Sequence, residues 1–258
     1  GNDAVLASFD ELASRVAPDM PIGAYLSWLR GNLRFQRGDP ASLALLNDAL
    51  ATFKRLDERD HVIWLHYVLA DANAVFGNLP QAWDHRRRSL QGRPQLRHPD
   101  RGFEVLLAPA IAAAYLENRP HVAVELLEEL AQDRPLAARQ SAELAIWRAH
   151  VELQLGRRTG ARERFAEAAI QASRVTDLAV RQRVEYYVAA GRALAAGSGG
   201  DAIATQTSAI TAARRYQDFR FPGLLRARAQ ARRGAGDFPG AAADLREGIA
   251  WLLGPGGN

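Results

Sequence analysis

Six times along the chain an apolar segment runs into a turn centred on glycine or asparagine, and a second segment opens just beyond it. The six stretches are FQRGDPASLALLNDAL, AVFGNLPQAWDHRRRSL, YLENRPHVAVELLEEL, LQLGRRTGARERFAEAA, LAAGSGGDAIATQTSAI and RGAGDFPGAAADLREGI. Aligned on the turn, the markers are Gly38, Gly77, Asn118, Gly156, Gly197 and Gly236, at intervals of 39, 41, 38, 41 and 39 residues. A near-constant period of this length signals repeated supersecondary units that must stack, because one unit alone cannot bury its apolar face.

Each marker has a physical reason. Glycine, or asparagine at 118, ends the first segment in a left-handed conformation that other residues adopt only at a cost. Pro40, Pro80, Pro120 and Pro239 follow in the turn or the first turn of the second segment, where a missing N–H does no harm. Next comes a small residue, at Ala82, Ala123, Ala161, Ala202 and Ala241, which lets the second helix approach the first. Leu43 stands at that position in the first unit. One turn later a larger apolar residue is expected to pack inward, as at Leu127, Phe165 and Leu245, whereas the second unit has Arg86 there. That arginine must either snorkel outward along its stem or pair with an acidic neighbour. Alanine, leucine, arginine and glutamate dominate, and all are good helix formers. Units of this kind are αα-hairpins, so the fold class is all-α.

The pattern resembles the tetratricopeptide repeat family over nearly all of 21–253, most specifically in LGRRTGARERFAEAA and GAGDFPGAAADLREGI. It departs in period, near 40 where the standard repeat has about 34 residues. It also lacks most of the tryptophan–leucine–glycine–tyrosine signature, although Gly31 and Gly191 match its glycine. Long-period repeats of this sort are similar to the sensor repeats of large bacterial signalling proteins, including the maltose-activator type of LuxR-family regulators. They are also similar to repeats beside caspase-like or nucleotide-binding switch modules. The resemblance implies a right-handed superhelical solenoid of about six repeats, capped at its N-terminus by a helix within residues 1–20. It further implies a concave groove lined by the first helix of each hairpin. The family's groove positions fall on Tyr25, Trp28, Asn32, Trp64, Tyr67, Asp71, Tyr115, Ile146, His150, Tyr187, Arg226, Gln230 and Arg233. Aromatic rings beside hydrogen-bonding groups suit an anchoring surface. The same rings are equally suited to packing between adjacent repeats, since a one-residue error of register turns many of them inward.

The remaining segments are connective. Residues 3–16 read as one amphipathic helix, with Val5, Leu6, Phe9, Leu12 and Val16 on its apolar side. QGRPQLRHPDRG at 91–102 is the longest polar linker and the best candidate for a mobile joint, and GPGGN at 254–258 reads as a tail. The first residue is glycine rather than methionine, as expected of a domain from a larger protein. No stretch reads as a signal peptide, and the longest apolar run, at 105–116, is too short to span a bilayer and contains Pro109. With no cysteine, disulfides, thiolate zinc sites and cysteine nucleophiles are excluded, which fits a cytoplasmic protein and leaves the periplasm open as well.

No catalytic fingerprint stands out. HExxH, GxxxxGK[ST], GxSxG and the dinucleotide motif are all missing. His61 and His66 are five residues apart, so they do not share a helix face for a metal. GSGG at 197–200 could cradle a phosphate at a helix N-terminus, but it falls where the hairpin turn needs glycine. Glu125, Glu128 and Glu129 flank the stripe Val124, Leu126, Leu127 and Leu130, and read as solvated charge. The expectation is therefore a non-catalytic interaction module without a cofactor. It would bind a protein, a peptide or a small effector in its groove, as the regulatory part of a bacterial signalling or transcription protein. The alternative is nucleic-acid binding through Arg86, Arg87, Arg88, Arg93, Arg97 and Arg101. A net charge of +4 on 258 residues argues only weakly for it. Lys54 is the only lysine, so the arginine bias reads as a codon preference rather than an adaptation to phosphate.

Overall fold

A computed structural model describes residues 2–253 apart from 116, 133–134, 198–200 and 217–220. The described residues form thirteen α-helices and one short 3-10 helix, with no strand. After α1 (Asn2–Ser14) the helices come in consecutive pairs. These are α2 (Pro21–Phe35) with α3 (Ser42–Arg55), α4 (Arg59–Val75) with α5 (Leu79–Gly92), and α6 (Pro99–Tyr115) with α7 (Pro120–Gln132). They continue with α8 (Ala138–Gln154) and α9 (Arg158–Ser173), α10 (Leu178–Ala195) and α11 (Ala202–Tyr216), then α12 (Phe221–Gly234) and α13 (Phe238–Leu253). The tail at 254–258 and residues 198–200 of the glycine cluster lie outside the described residues. No helix among the described residues is long and apolar enough to cross a membrane.

Every marker residue sits in the turn inside a pair with positive φ: Gly38 at 70°, Gly77 at 80°, Asn118 at 51°, Gly156 at 75°, Gly197 at 74° and Gly236 at 82°. In four of these turns the next amide reaches back five residues, from Asp39 to the Arg34 carbonyl, Asn78 to Asn73, Arg157 to Glu152 and Asp237 to Arg232. This bond satisfies a carbonyl the helix end leaves open, and it explains why the turn recurs with the same residue types. Asp57 takes φ 52° in the turn from α3 to α4, a left-handed position the repeat does not mark.

The chain divides into two compact units, Gly1–Pro109 and Ala110–Asn258. The division falls at Pro109 inside α6. The polar segment at 91–102 contains the 3-10 helix Arg93–Gln95 and is tied down within the first unit. There the Arg93 side chain donates to the Gly102 carbonyl at 3.1 Å, and the Arg97 amide to Asp60 at 3.3 Å.

In the first unit α2, α3 and α4 close around Ala24, Leu46, Ala49, Leu50, Phe53, Leu65, Leu69 and Ala72. A Cβ on Gly31 would come within 2.8 Å of Leu46, so this glycine sets how closely α2 meets α3. The small inward residue of α3 is Ser42 and the larger one Leu46, both fully buried, while Leu43 is only half-buried. The first hairpin thus enters its second helix one residue earlier than the alignment on Gly38 implies. Among the described side chains of α1, Leu6 is buried while Val5 and Leu12 are exposed, because the helix packs chiefly on α2.

Arg86 occupies the inward slot of α5 and is 2 % exposed, its guanidinium carbon 4.8 Å from the centre of the Trp83 ring. It stays inside and does not snorkel, and its charge acts on the Asp71 carboxylate of α4. Arg87 and Arg88 are exposed and share Asp84, at 2.9 and 2.8 Å. Beside Arg86, the His66 and His85 Nδ1 atoms share a hydrogen bond of 2.8 Å. Burial and the neighbouring His85, Lys54 and Arg88 push His66 down to about 4, and His85 is lowered in the same direction by burial. Below pH 6.5 the unfolded chain binds the proton that folded His66 refuses, so this contribution is complete above that pH and is lost as pH falls toward 4. Urea unfolding should lose about 2 kcal/mol between pH 7 and pH 5 from His66. His66→Gln should flatten that slope; an unchanged slope would remove the histidine pair as its source.

In the second unit one cluster joins α8, α9 and α10 through Ala142, Ile146, Ala149, Phe165, Ala168 and Val184. A second joins α10, α11 and α12 through Tyr186, Ala190, Ile210, Leu224 and Leu225. The inward slot holds Leu127 and Phe165 as expected, and Gln206 in α11. Buried Gln206 donates to the carbonyls of Ala193 and Gly197, both at 3.3 Å, tying α11 to the end of α10. Leu245 does not pack inward; it is 48 % exposed, and Asp244 takes the buried position at 2 %. The cause lies in the neighbour. Phe165 is covered by α10, whose Gly191 has no room for a Cβ against the ring, whereas no described helix follows α13 to cover Leu245. On α7, Leu127 and Leu130 are buried and Glu125, Glu128 and Glu129 exposed.

Candidate functional site

The second unit contains a cavity of about 480 Å³ lined from α8, α10 and α12, with Tyr115 at the end of α6 and Arg158 at the start of α9. From α8 it takes His150, Leu153 and Gln154; from α10, Leu194; from α12, Gly223, Arg226, Ala227 and Gln230. A second hollow of about 330 Å³ shares Arg158 and Gln230 and adds Gly197, Arg233 and Gly234. The sizes are those of small-ligand sites.

Helical spacing explains the convergence. His150, Leu153 and Gln154 lie one turn apart on one side of α8, and Arg226, Gln230 and Arg233 form a stripe at i, i+4 and i+7 on α12. His150 is 2 % exposed and forms the floor, its ring edge-on to Phe165 at 5.4 Å and to Tyr115 at 5.9 Å. Trp147 meets Tyr115 at 5.5 Å. Gln154 is held by a 3.1 Å bond from its amide to the Ala114 carbonyl. Arg158 passes so close to Gly197 that a Cβ there would lie 2.7 Å from its Nη1; the turn glycine therefore also makes room for this guanidinium. Among the described residues no carboxylate lines either hollow. Among the described residues none pairs with Arg158, Arg226 or Arg233.

Five residues expected from the groove pattern thus meet in one place: Tyr115, His150, Arg226 and Gln230 in the larger cavity and Arg233 beside it. Two others in this unit do not join them. Ile146 is 1 % exposed within the α8–α10 cluster, and half-buried Tyr187 packs against both clusters of the unit. At these points the stripe rolls into the helix interfaces, where the apolar side chain is covered by the neighbouring pair. The groove pattern omits Leu153, Gln154, Arg158, Leu194 and Gly223. Extending the stripe one turn along α8 and two turns along α10 would have reached Gln154 and Leu194. Arg158 lies on a second helix, which a pattern restricted to first helices does not sample.

The first unit holds the remaining candidates on α2 and α4. Tyr25 is 37 % exposed, and its hydroxyl shares a 2.6 Å hydrogen bond with His61 Nε2. Trp28 is half-buried against the core of the unit, and Asn32 is half-buried one turn further on. Trp64 and Tyr67 have ring centres 4.5 Å apart, with the Arg101 guanidinium 5.2 Å from the Trp64 ring. Burial and the carboxylates of Asp71 and Glu104 raise the Tyr67 hydroxyl. Burial pushes Asp71 up to about 6, against the Arg86 charge, and Glu104 adds to the rise. These groups form a half-buried polar stripe beside Arg86. A separate polar hollow of about 610 Å³ is lined by residues that include Asp57, Asp60, His61 and His98. No group of three or more His, Cys, Asp or Glu among the described residues is placed to hold a metal ion.

The six arginines of the alternative nucleic-acid reading all lie in the first unit, and of these Arg97 is exposed. Arg86 is buried, Arg87 and Arg88 are paired with Asp84, Arg93 is bonded to Gly102, and Arg101 lies over Trp64. In comparisons with known proteins the chain matches no family model and no curated relative.

Proposed function

We propose that this chain is a non-catalytic interaction module of the tetratricopeptide-like helical-repeat type, and that it binds a peptide, a protein segment or a small effector in the cavity of its second unit. One observation carries this reading: residues picked by repeat register on separate helices, Tyr115, His150, Arg226 and Gln230, line the same 480 Å³ cavity. Aromatic and apolar walls with a few oriented polar groups are the usual make-up of a recognition site. The lining offers no nucleophile with an adjacent base and no pair of carboxylates, so recognition fits it better than turnover. A regulatory place within a larger signalling or transcription protein is part of the same proposal, since ligand-dependent packing of α8, α10 and α12 gives a neighbouring domain something to sense.

Gly223 offers the blocking variant. A Cβ there would meet only Leu194, at 3.9 Å, so Gly223→Phe fills the cavity from α12 without a backbone clash. Ligand-observed NMR against short peptides and small metabolites is expected to find compounds that bind the natural chain and are lost in Gly223→Phe. Compounds that bind both chains equally would place recognition elsewhere and overturn the proposal.

A further inference from the structure

We infer that the ligand of this cavity is an amphiphilic organic anion, with an apolar body against Tyr115, Leu153 and Leu194 and an anionic head among Arg158, Arg226 and Arg233. The inference rests on the reading of the cavity as the binding site and goes beyond it by naming the ligand's chemistry.

Elsewhere in this chain some arginines are neutralised by carboxylates and others are not. Several guanidinium groups find carboxylates close by in sequence: Arg34 meets Asp39, Arg87 meets Asp84 and Arg164 meets Glu167, each at 2.9 Å. Others, such as Arg183, Arg192 and Arg246, point into open solvent with no carboxylate among the described residues. The cavity differs from both in gathering arginines of the second kind around one concave site. Three arginines border the two adjoining hollows, and among the described residues no carboxylate lines either and none of the three is paired. Like charges gathered at a partly enclosed site repel one another, and an incoming anion relieves that cost while gaining charge-assisted hydrogen bonds. Guanidinium forks match carboxylate, sulfonate and phosphate oxygens geometrically, so the head group is any of these and not a cation or a neutral sugar.

The remaining lining residues set the rest of the molecule. Tyr115, Leu153 and Leu194 are apolar, and the His150 floor is backed by Phe165 and Trp147. About 480 Å³ is the volume of a small-molecule site. A polyanion would leave the apolar wall unused, and a purely apolar ligand would strand the arginines.

The test uses two dyes on the intact chain that differ in the anionic group: anilinonaphthalene sulfonate and its uncharged parent phenylnaphthylamine, both of which fluoresce when transferred from water to an apolar site. The sulfonate is expected to bind about tenfold more tightly than the neutral dye, and Arg158→Gln with Arg226→Gln to remove about tenfold from the sulfonate while leaving the neutral dye within about twofold. Gly223→Phe should exclude both. Near-ultraviolet circular dichroism of each variant checks that the fold is intact. Equal affinity for the two dyes, with both lost in Gly223→Phe, would overturn the anion inference and leave the cavity as the binding site. Dye binding indifferent to Gly223→Phe would overturn the site itself.

Discussion

Replacing Asp244 with alanine should destabilise the protein by about 3–5 kcal/mol, the cost of leaving a buried charge without its partner. Asp244 and Arg228 have side chains 2 % and 9 % exposed. The carboxylate accepts from Arg228 through both oxygens, at 3.0 and 2.6 Å, and from Arg232 at 3.0 Å. Arg228 also donates to the Thr207 hydroxyl at 3.1 Å, and Arg232 to the Gly240 carbonyl at 3.1 Å. The network therefore ties α11, α12 and α13 together at the place where an apolar slot was expected. Chemical denaturation of Asp244→Ala measures the loss directly. A double variant, Arg228→Met with Asp244→Leu, removes both charges and should recover most of it, because apolar packing of similar volume replaces such pairs at little cost. A single variant as stable as the natural chain would show that Arg228 reaches solvent when its partner is gone, and would end the claim that this pair is buried in solution.

Phe165→Ala is the second large effect, expected at about 3–5 kcal/mol for removing a fully buried aromatic ring. Phe165 is 0 % exposed at the centre of the α8–α10 cluster. A Cβ on Gly191 would stand 2.1 Å from its Cε1 atom, well inside contact distance. Gly191→Ala alone should then cost about 1–3 kcal/mol by overpacking, and the smaller ring-free side chain of Phe165→Leu should make the alanine less costly in the double variant. Additive losses would mean that the two residues do not share the contact. Because the Phe165 ring also backs His150, the alanine variant should loosen the floor of the cavity and weaken dye binding there. Thermal unfolding and dye titration on one preparation separate the two effects.

The groove pattern was legible only in part, and the particular residues show why. Register along a first helix predicts which side chains share a face, and so it brought Tyr115, His150, Arg226 and Gln230 together. It is blind to what stands opposite that face. Ile146 lies one turn before His150 on the same stripe, yet the α9 and α10 side chains close over it. Arg158 came from a helix start outside the pattern, and only the packing of the α10–α11 turn beside it makes it part of the site. Leu245 and Ser42 carry the same lesson for the core. One is exposed because no described helix covers it, and the other is buried because its hairpin turns one residue early.

What the sequence determined by itself was everything set by local backbone physics. The all-helical class, the pairing of helices and the position of each turn follow from residues that favour helix, interrupted by glycine or asparagine where the chain must take a left-handed conformation. The six marker residues all adopt it. The tertiary structure alone decided which member of an inward-facing pair is covered, whether Arg86 and Arg228 find room inside, and which arginines border the two adjoining hollows. Those outcomes depend on side chains from different helices arriving at one point, and a periodic pattern along a single chain carries no measure of that distance.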